Sequence, residues 1–140
     1  MSKTMTQQVA EFTKNEVVEL FGGRVPTWDE YREAYEAGRV RADRSVAGRT
    51  YDAACMSKFG KAHARLTALV SLIALPSSLL AYFFWDKSGW WILCGLAISV
   101  FFGKVSREVQ CECIKQGAYV DENVYEVLFD MGAFLFGPKK

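Results

Sequence analysis

Between Leu66 and Gly103 the chain carries only two charges, Asp86 and Lys87, and they are adjacent. On one side of them Leu66–Trp85 is uncharged for 20 residues, and on the other Ser88–Gly103 is uncharged for 16. As helices these runs would extend ~30 Å and ~24 Å, against a hydrocarbon core ~30 Å thick. The second can lengthen into Lys104 and Val105 if the lysine stretches its stem toward water. Neither run shows the polar stripe, recurring every 3.6 residues, of a helix half-buried in a soluble domain. The pattern predicts an all-α protein with a transmembrane hairpin (spans about 66–85 and 88–105) that turns at Asp86-Lys87-Ser88-Gly89.

The flanks orient this hairpin. Tyr82, Phe83, Phe84 and Trp85 precede the turn and Trp90 and Trp91 follow it. Tyr and Trp favour the headgroup level, where one end of the ring is wet. Bases gather at the opposite ends: Arg49, Lys58, Lys61 and Arg65 before the first span, Lys104, Arg107 and Lys115 after the second. Cationic flanks stay inside. Both termini are therefore expected in the cytoplasm, at a bacterial inner or plasma membrane, with the turn outside. The first 20 residues lack the basic and apolar regions of a cleavable signal peptide, so insertion is expected to use the hairpin itself. Ser2 stands where myristoylation needs glycine, and the C-terminus has no prenylation cysteine.

Residues 1–65 and 106–140 are expected to form a small helical cytoplasmic lobe around the hairpin region 66–105. Thr6–Phe21 is a candidate amphipathic helix stopped by Gly22-Gly23, and its acidic polar face favours a protein neighbour over anionic lipid. Thr27-Trp28-Asp29-Glu30 is a capping box opening a helix to about Ala37. Trp28, Tyr31 and Tyr35 share one face of that helix, as a candidate partner face or as a docking face within the chain. Val40–Arg65, basic and rich in small residues, is expected to be largely helix running into the first span. A last short helix, Glu122 to about Met131, is capped by Asp121. The tail residues Phe134, Leu135 and Phe136 are expected to dock on the N-terminal helices or the headgroup zone.

Within the first span Pro76 is expected to kink the helix, with Ser71, Ser77 and Ser78 available to the backbone groups it frees. Ala64, Ala68, Ser71, Leu75 and Ser78 fall along one face of mostly small residues. Gly95, Ser99 and Gly103 in the second span recur every four residues, a pattern that lets helix backbones approach closely. The second helix is expected to continue through Val105, Val109, Cys113 and Ile114 and to close at Gly117.

The chemistry is sparse. Neither span holds an ionisable Asp, Glu, Lys, Arg or His, which proton relays and ion-coupled transport use. His63, the single histidine, reads as an interfacial polar residue. Cys111 and Cys113 are two apart, so on a helix they diverge, and the spacing fits neither a zinc pair nor a redox C-x-x-C. The four cysteines are expected to be reduced thiols. No nucleophile set, metal cluster or phosphate loop is present, so no catalytic residue, metal or cofactor is expected. The expected partners are the lipid bilayer and a second copy or another membrane protein, with no nucleic acid and no small-molecule substrate. The leading expectation is a small integral membrane protein acting as a non-enzymatic interaction, accessory, exclusion or immunity-type module that self-associates. The alternative is a homo-oligomeric pore or membrane-disrupting effector lined by Ser71, Ser78 and Ser99, with the cytoplasmic lobe as sensor.

Overall fold

The structure, a computed structural model, describes residues 4–85 and 88–137. It is mainly helical: α1 (Met5–Leu20), α2 (Trp28–Glu36), β1 (Val40–Ala42), α3 (Arg44–Ala54), α4 (Lys58–Phe84), α5 (Trp90–Val120), α6 (Glu122–Asp130) and β2 (Phe134–Phe136). Packing divides the chain into two compact units. One takes the residues up to Met56 together with those from Gln110 onward, and the other is Ser57–Val109. Helix α5 contributes to both.

In the first unit, the elements begin where short polar side chains hold the free amides of a helix end. The Thr27 hydroxyl accepts from the Glu30 amide at 3.3 Å, and the Glu30 carboxylate accepts from the Thr27 amide at 2.8 Å. This is the expected reciprocal box. Asp43 accepts from the amides of Ser45 and Val46 at the start of α3, and Asp121 from Asn123 at the start of α6. Arg24 adds a forked ion pair to the outside of the first box. The hydrogen bond from Arg24 and then that from the Thr27 amide hold the Glu30 carboxyl down at about 2, against an ordinary 4.5. A carboxylate favoured in the folded state supports folding fully above pH ~4.5, and that support drains away as the pH falls toward about 2. Thermal melts of the full chain in detergent should lose midpoint across that window. Glu30→Gln should show a lower midpoint at neutral pH and a flatter acid limb.

The core of this unit is aromatic. Tyr31, Phe134, Ile114, Val17 and Pro26 are its largest fully buried side chains. The Tyr31 ring lies 4.8 Å from that of Tyr125 and 4.9 Å from that of Phe134. Phe21 meets Phe136 edge-on at 5.2 Å. Such contacts contribute about 0.5–1.5 kcal/mol each beyond the area they bury.

Val40–Arg65 is largely helix leading into α4, as expected, but in two pieces after the short strand β1. Asp43 and Ser57 each cap a new helix, and between them the chain is extended at Cys55. The tail docks on the N-terminal elements as expected, Phe134 against Tyr31 and Phe136 against Phe21, and it does so as a strand: β2 pairs antiparallel with β1, matching Val40 with Phe136 and Ala42 with Phe134. Three-residue strands are too short for alternation to be read. Finally, Gly117 does not close α5, which continues to Val120. Its lack of a side chain serves a close approach instead, because a Cβ there would lie 2.0 Å from the Ala54 carbonyl oxygen.

Candidate membrane-embedded helix pair

The second unit is an antiparallel pair made by α4 and the first part of α5. Its contacts step along both helices in opposite directions. The Ser106 hydroxyl donates to the Ala64 carbonyl at 3.3 Å. One register further on, the Ser71 hydroxyl donates to the Ser99 carbonyl and the Ser99 hydroxyl to the Ser71 carbonyl, both at 2.8 Å. Beyond them Gly95 lies against Ser78 so closely that a Cβ on Gly95 would fall 2.3 Å from the Ser78 Cβ. Gly103 faces the Ser71 hydroxyl in the same way, at 3.1 Å. Gly95, Ser99 and Gly103 thus lie together along the seam with α4. Losing one of the reciprocal bonds is expected to be a modest change, since interhelical bonds of this kind average about 0.6 kcal/mol where helices pack in a bilayer. Ser71→Ala should lower the stability of the detergent-solubilised protein by about that much, measured by SDS or thermal titration.

The face of α4 at this seam keeps Ala64, Ser71 and Ser78 of the expected one, with Thr67 and Ala74 in place of Ala68 and Leu75. Ala64, Thr67 and Ser78 are buried, whereas Ala68 and Leu75 are exposed. Thr67 can be buried because its hydroxyl donates to the His63 carbonyl at 2.9 Å in the preceding turn. Thr67, absent from the expected face, is a self-satisfied seam residue, and its spacing of three from Ala64 and four from Ser71 is the signal that identifies it. Pro76 lies inside α4. The Ser78 hydroxyl donates to Leu75 and the Ser71 hydroxyl crosses to Ser99, so neither serves the Leu72 carbonyl that the proline leaves without its helical donor.

The three serines expected to line a pore, Ser71, Ser78 and Ser99, are therefore spent on backbone carbonyls at the seam. Trp28, Tyr31 and Tyr35, the candidate partner face, turn inward in the first unit. Trp28 Nε1 donates to Ala118 at 2.9 Å, the Tyr31 hydroxyl to Lys115 at 2.9 Å, and the Tyr35 hydroxyl to the Glu112 carboxylate at 2.7 Å. Tyr31 has no exposed surface at all. Burial, and then the bond to Glu112, push the Tyr35 phenol up to about 12. These residues hold α2 against α5, with Tyr31 buried and Trp28 and Tyr35 half-buried.

Outside the seam the helix pair exposes hydrocarbon. Leu66, Leu72, Leu80 and Phe83 of α4, and Leu93 and Phe101 of α5, are each more than half exposed. Among the described residues α4 is the one helix long and apolar enough to cross a membrane, and 11% of its most apolar stretch is buried. A core helix of a water-soluble domain would be mostly covered, and soluble monomers seldom expose contiguous apolar patches above a few hundred Å². Helix α5 starts at Trp90, so its uncharged part ends at Gly103 after ~21 Å, short of a full crossing. Trp85 and Trp90 are largely exposed at one end of the pair. The other end carries Lys58, Lys61, Arg65, Lys104 and Arg107, with the Phe59 ring stacked on His63. Asp86 and Lys87 of the expected turn lie outside the described residues.

Among the described residues no group of three or more His, Cys, Asp or Glu is placed to hold a metal ion. Cys55, Cys111 and Cys113 are buried and Cys94 is exposed, and none of the four is joined in a disulfide. Comparison with protein-family models, curated proteins and solved structures finds no match for this chain.

Proposed function

We propose that this chain is a small integral membrane protein whose α4–α5 pair is a transmembrane hairpin, with both termini in the cytoplasm and the tryptophan-rich end outside. The exposed apolar surface of α4 carries this reading. Leaving it in water would forgo roughly 1.5–3 kcal/mol for each large side chain that lipid could cover. The short apolar part of α5 is accommodated if Lys104 snorkels and the bilayer thins locally. The unit formed by the two ends of the chain then acts as a non-enzymatic interaction or accessory module of the exclusion or immunity type, on a second copy or another membrane protein. The homo-oligomeric pore has less support, because its three serines already donate within the chain.

Alkaline carbonate extraction of membranes, followed by protease protection, tests the anchor. The protein should stay with the lipid, and protease added outside should leave both termini intact. A monodisperse species in the aqueous fraction without detergent would overturn the reading. Crosslinking in cells tests the module, and ion flux from proteoliposomes would favour the pore instead.

A further inference from the structure

We infer that the basic end of the α4–α5 pair is a binding collar for the phosphodiester headgroups of anionic phospholipids. The inference rests on the membrane reading above and adds a lipid preference to it. The bond from Ser106 to the Ala64 carbonyl fixes which parts of the two helices share a level. Lys61 and Arg65 lie within four residues of Ala64, and Lys104 and Arg107 within two of Ser106, so all four cations fall about one helical turn or less from that level. Lys58, one turn further out, adds a fifth.

Three observations make this a site for anions rather than a solvated patch. The charge is unbalanced: Glu108 is the single acid among residues 57–85 and 88–109. The collar lies where the exposed hydrocarbon begins, since Leu66 follows Arg65 and the uncharged part of α5 ends at Gly103. Its side chains also reach outward: Lys58, Arg65, Lys104 and Arg107 are exposed and Lys61 is half-buried. Like charges on one level repel, and the anion that meets such a ring at the edge of an apolar slab is a lipid phosphate. A base close to an anionic leaflet favours it by roughly fivefold in partitioning. His63 is at the same level and Phe59 stacks on it, so the apolar ring borders the collar from the α4 side. Neutral phosphatidylcholine has the same phosphate, but its choline cancels the charge, so the collar distinguishes net charge rather than phosphate alone.

The experiment uses the full chain in vesicles of phosphatidylcholine containing a trace of spin-labelled phosphatidylglycerol or spin-labelled phosphatidylcholine. The fraction of motionally restricted label gives the selectivity of the lipid shell. Phosphatidylglycerol should be preferred at least about threefold at 0.1 M salt, and the preference should fall toward one at 0.5 M, where screening shortens the reach of charge to a few ångströms. The variant Lys61→Gln/Arg65→Gln/Lys104→Gln/Arg107→Gln should lose it at low salt. Equal restriction of both lipids around fully inserted wild type would overturn the collar while leaving the membrane reading intact. A preference that survives both salt and the variant would overturn it too. Absence of any restricted lipid would instead sink the membrane reading. The salt series on wild type decides the matter even if the fourfold variant fails to insert.

Discussion

Tyr31→Ala should remove about 3–5 kcal/mol from the unit that contains it, as large aromatic deletions in closed cores do. The ring is fully buried among Tyr35, Tyr125, Phe134 and Phe136, on three different elements, so no single neighbour can move in to fill the space. Domains of this size are stable by only about 5–15 kcal/mol, so the loss is a large share of the whole. Tyr31→Phe should keep the packing and forfeit the hydroxyl bond to Lys115, a change of about 0.5–1.5 kcal/mol. Amide hydrogen exchange of the full chain in detergent reads both. In the alanine variant, protection should collapse through α2, α6 and β2, while the seam of α4 stays protected. A tyrosine standing on a partner face would behave differently, since surface substitutions are usually within about 0.5 kcal/mol. An alanine variant of unchanged protection would therefore favour the partner-face reading of Trp28, Tyr31 and Tyr35.

What could be read from the residues, and what could not, follows from the range of the forces involved. The start of α2 was legible because Thr27 and Glu30 interact across three residues, as was that of α6 at Asp121. The apolar, charge-poor character of α4 was legible for the same reason: it is a property of composition along one helix. The β1–β2 pairing was not, because Val40 and Phe136 are brought together only by everything folded between them. Gly117 was misread for a related reason. A glycine near the end of a helix resembles a stop, and only the approach of the Ala54 carbonyl from another helix reveals that it is a contact. The aromatic stripe of α2 presented two readings that sequence spacing cannot separate, since a face for a partner and a face for α5 need the same i, i+3, i+7 pattern. The polar tips favour docking within the chain: Nε1 of Trp28 and the hydroxyls of Tyr31 and Tyr35 all find acceptors on α5.

Gly95→Ala should loosen the α4–α5 seam by about 1–3 kcal/mol, the cost of overpacking a closed contact. The new methyl would fall 1.9 Å from the Ser78 hydroxyl oxygen, 2.3 Å from the Ser78 Cβ and 3.1 Å from the Ala74 carbonyl oxygen. Rotating the serine can relieve the first of these. The second is fixed to the backbone, so the helices must separate, and separation stretches the reciprocal pair of Ser71 and Ser99 one register away. If the pair is embedded as proposed, no hydrophobic force restores the contact, because acyl chains are as apolar as the faces that part. Ser78→Gly offers the compensating change. It removes the Cβ that the new methyl meets and leaves a hole of nearly the same size. Alone it should destabilise, through the void and the extra backbone freedom of glycine in a helix. Combined with Gly95→Ala it should recover part of the loss, giving a coupling of about 0.5–3 kcal/mol of opposite sign to the single changes. Thermal or SDS titration of the four proteins in one detergent measures that coupling directly. Strict additivity would mean that Gly95 and Ser78 do not meet, and the antiparallel register of the pair would have to be redrawn.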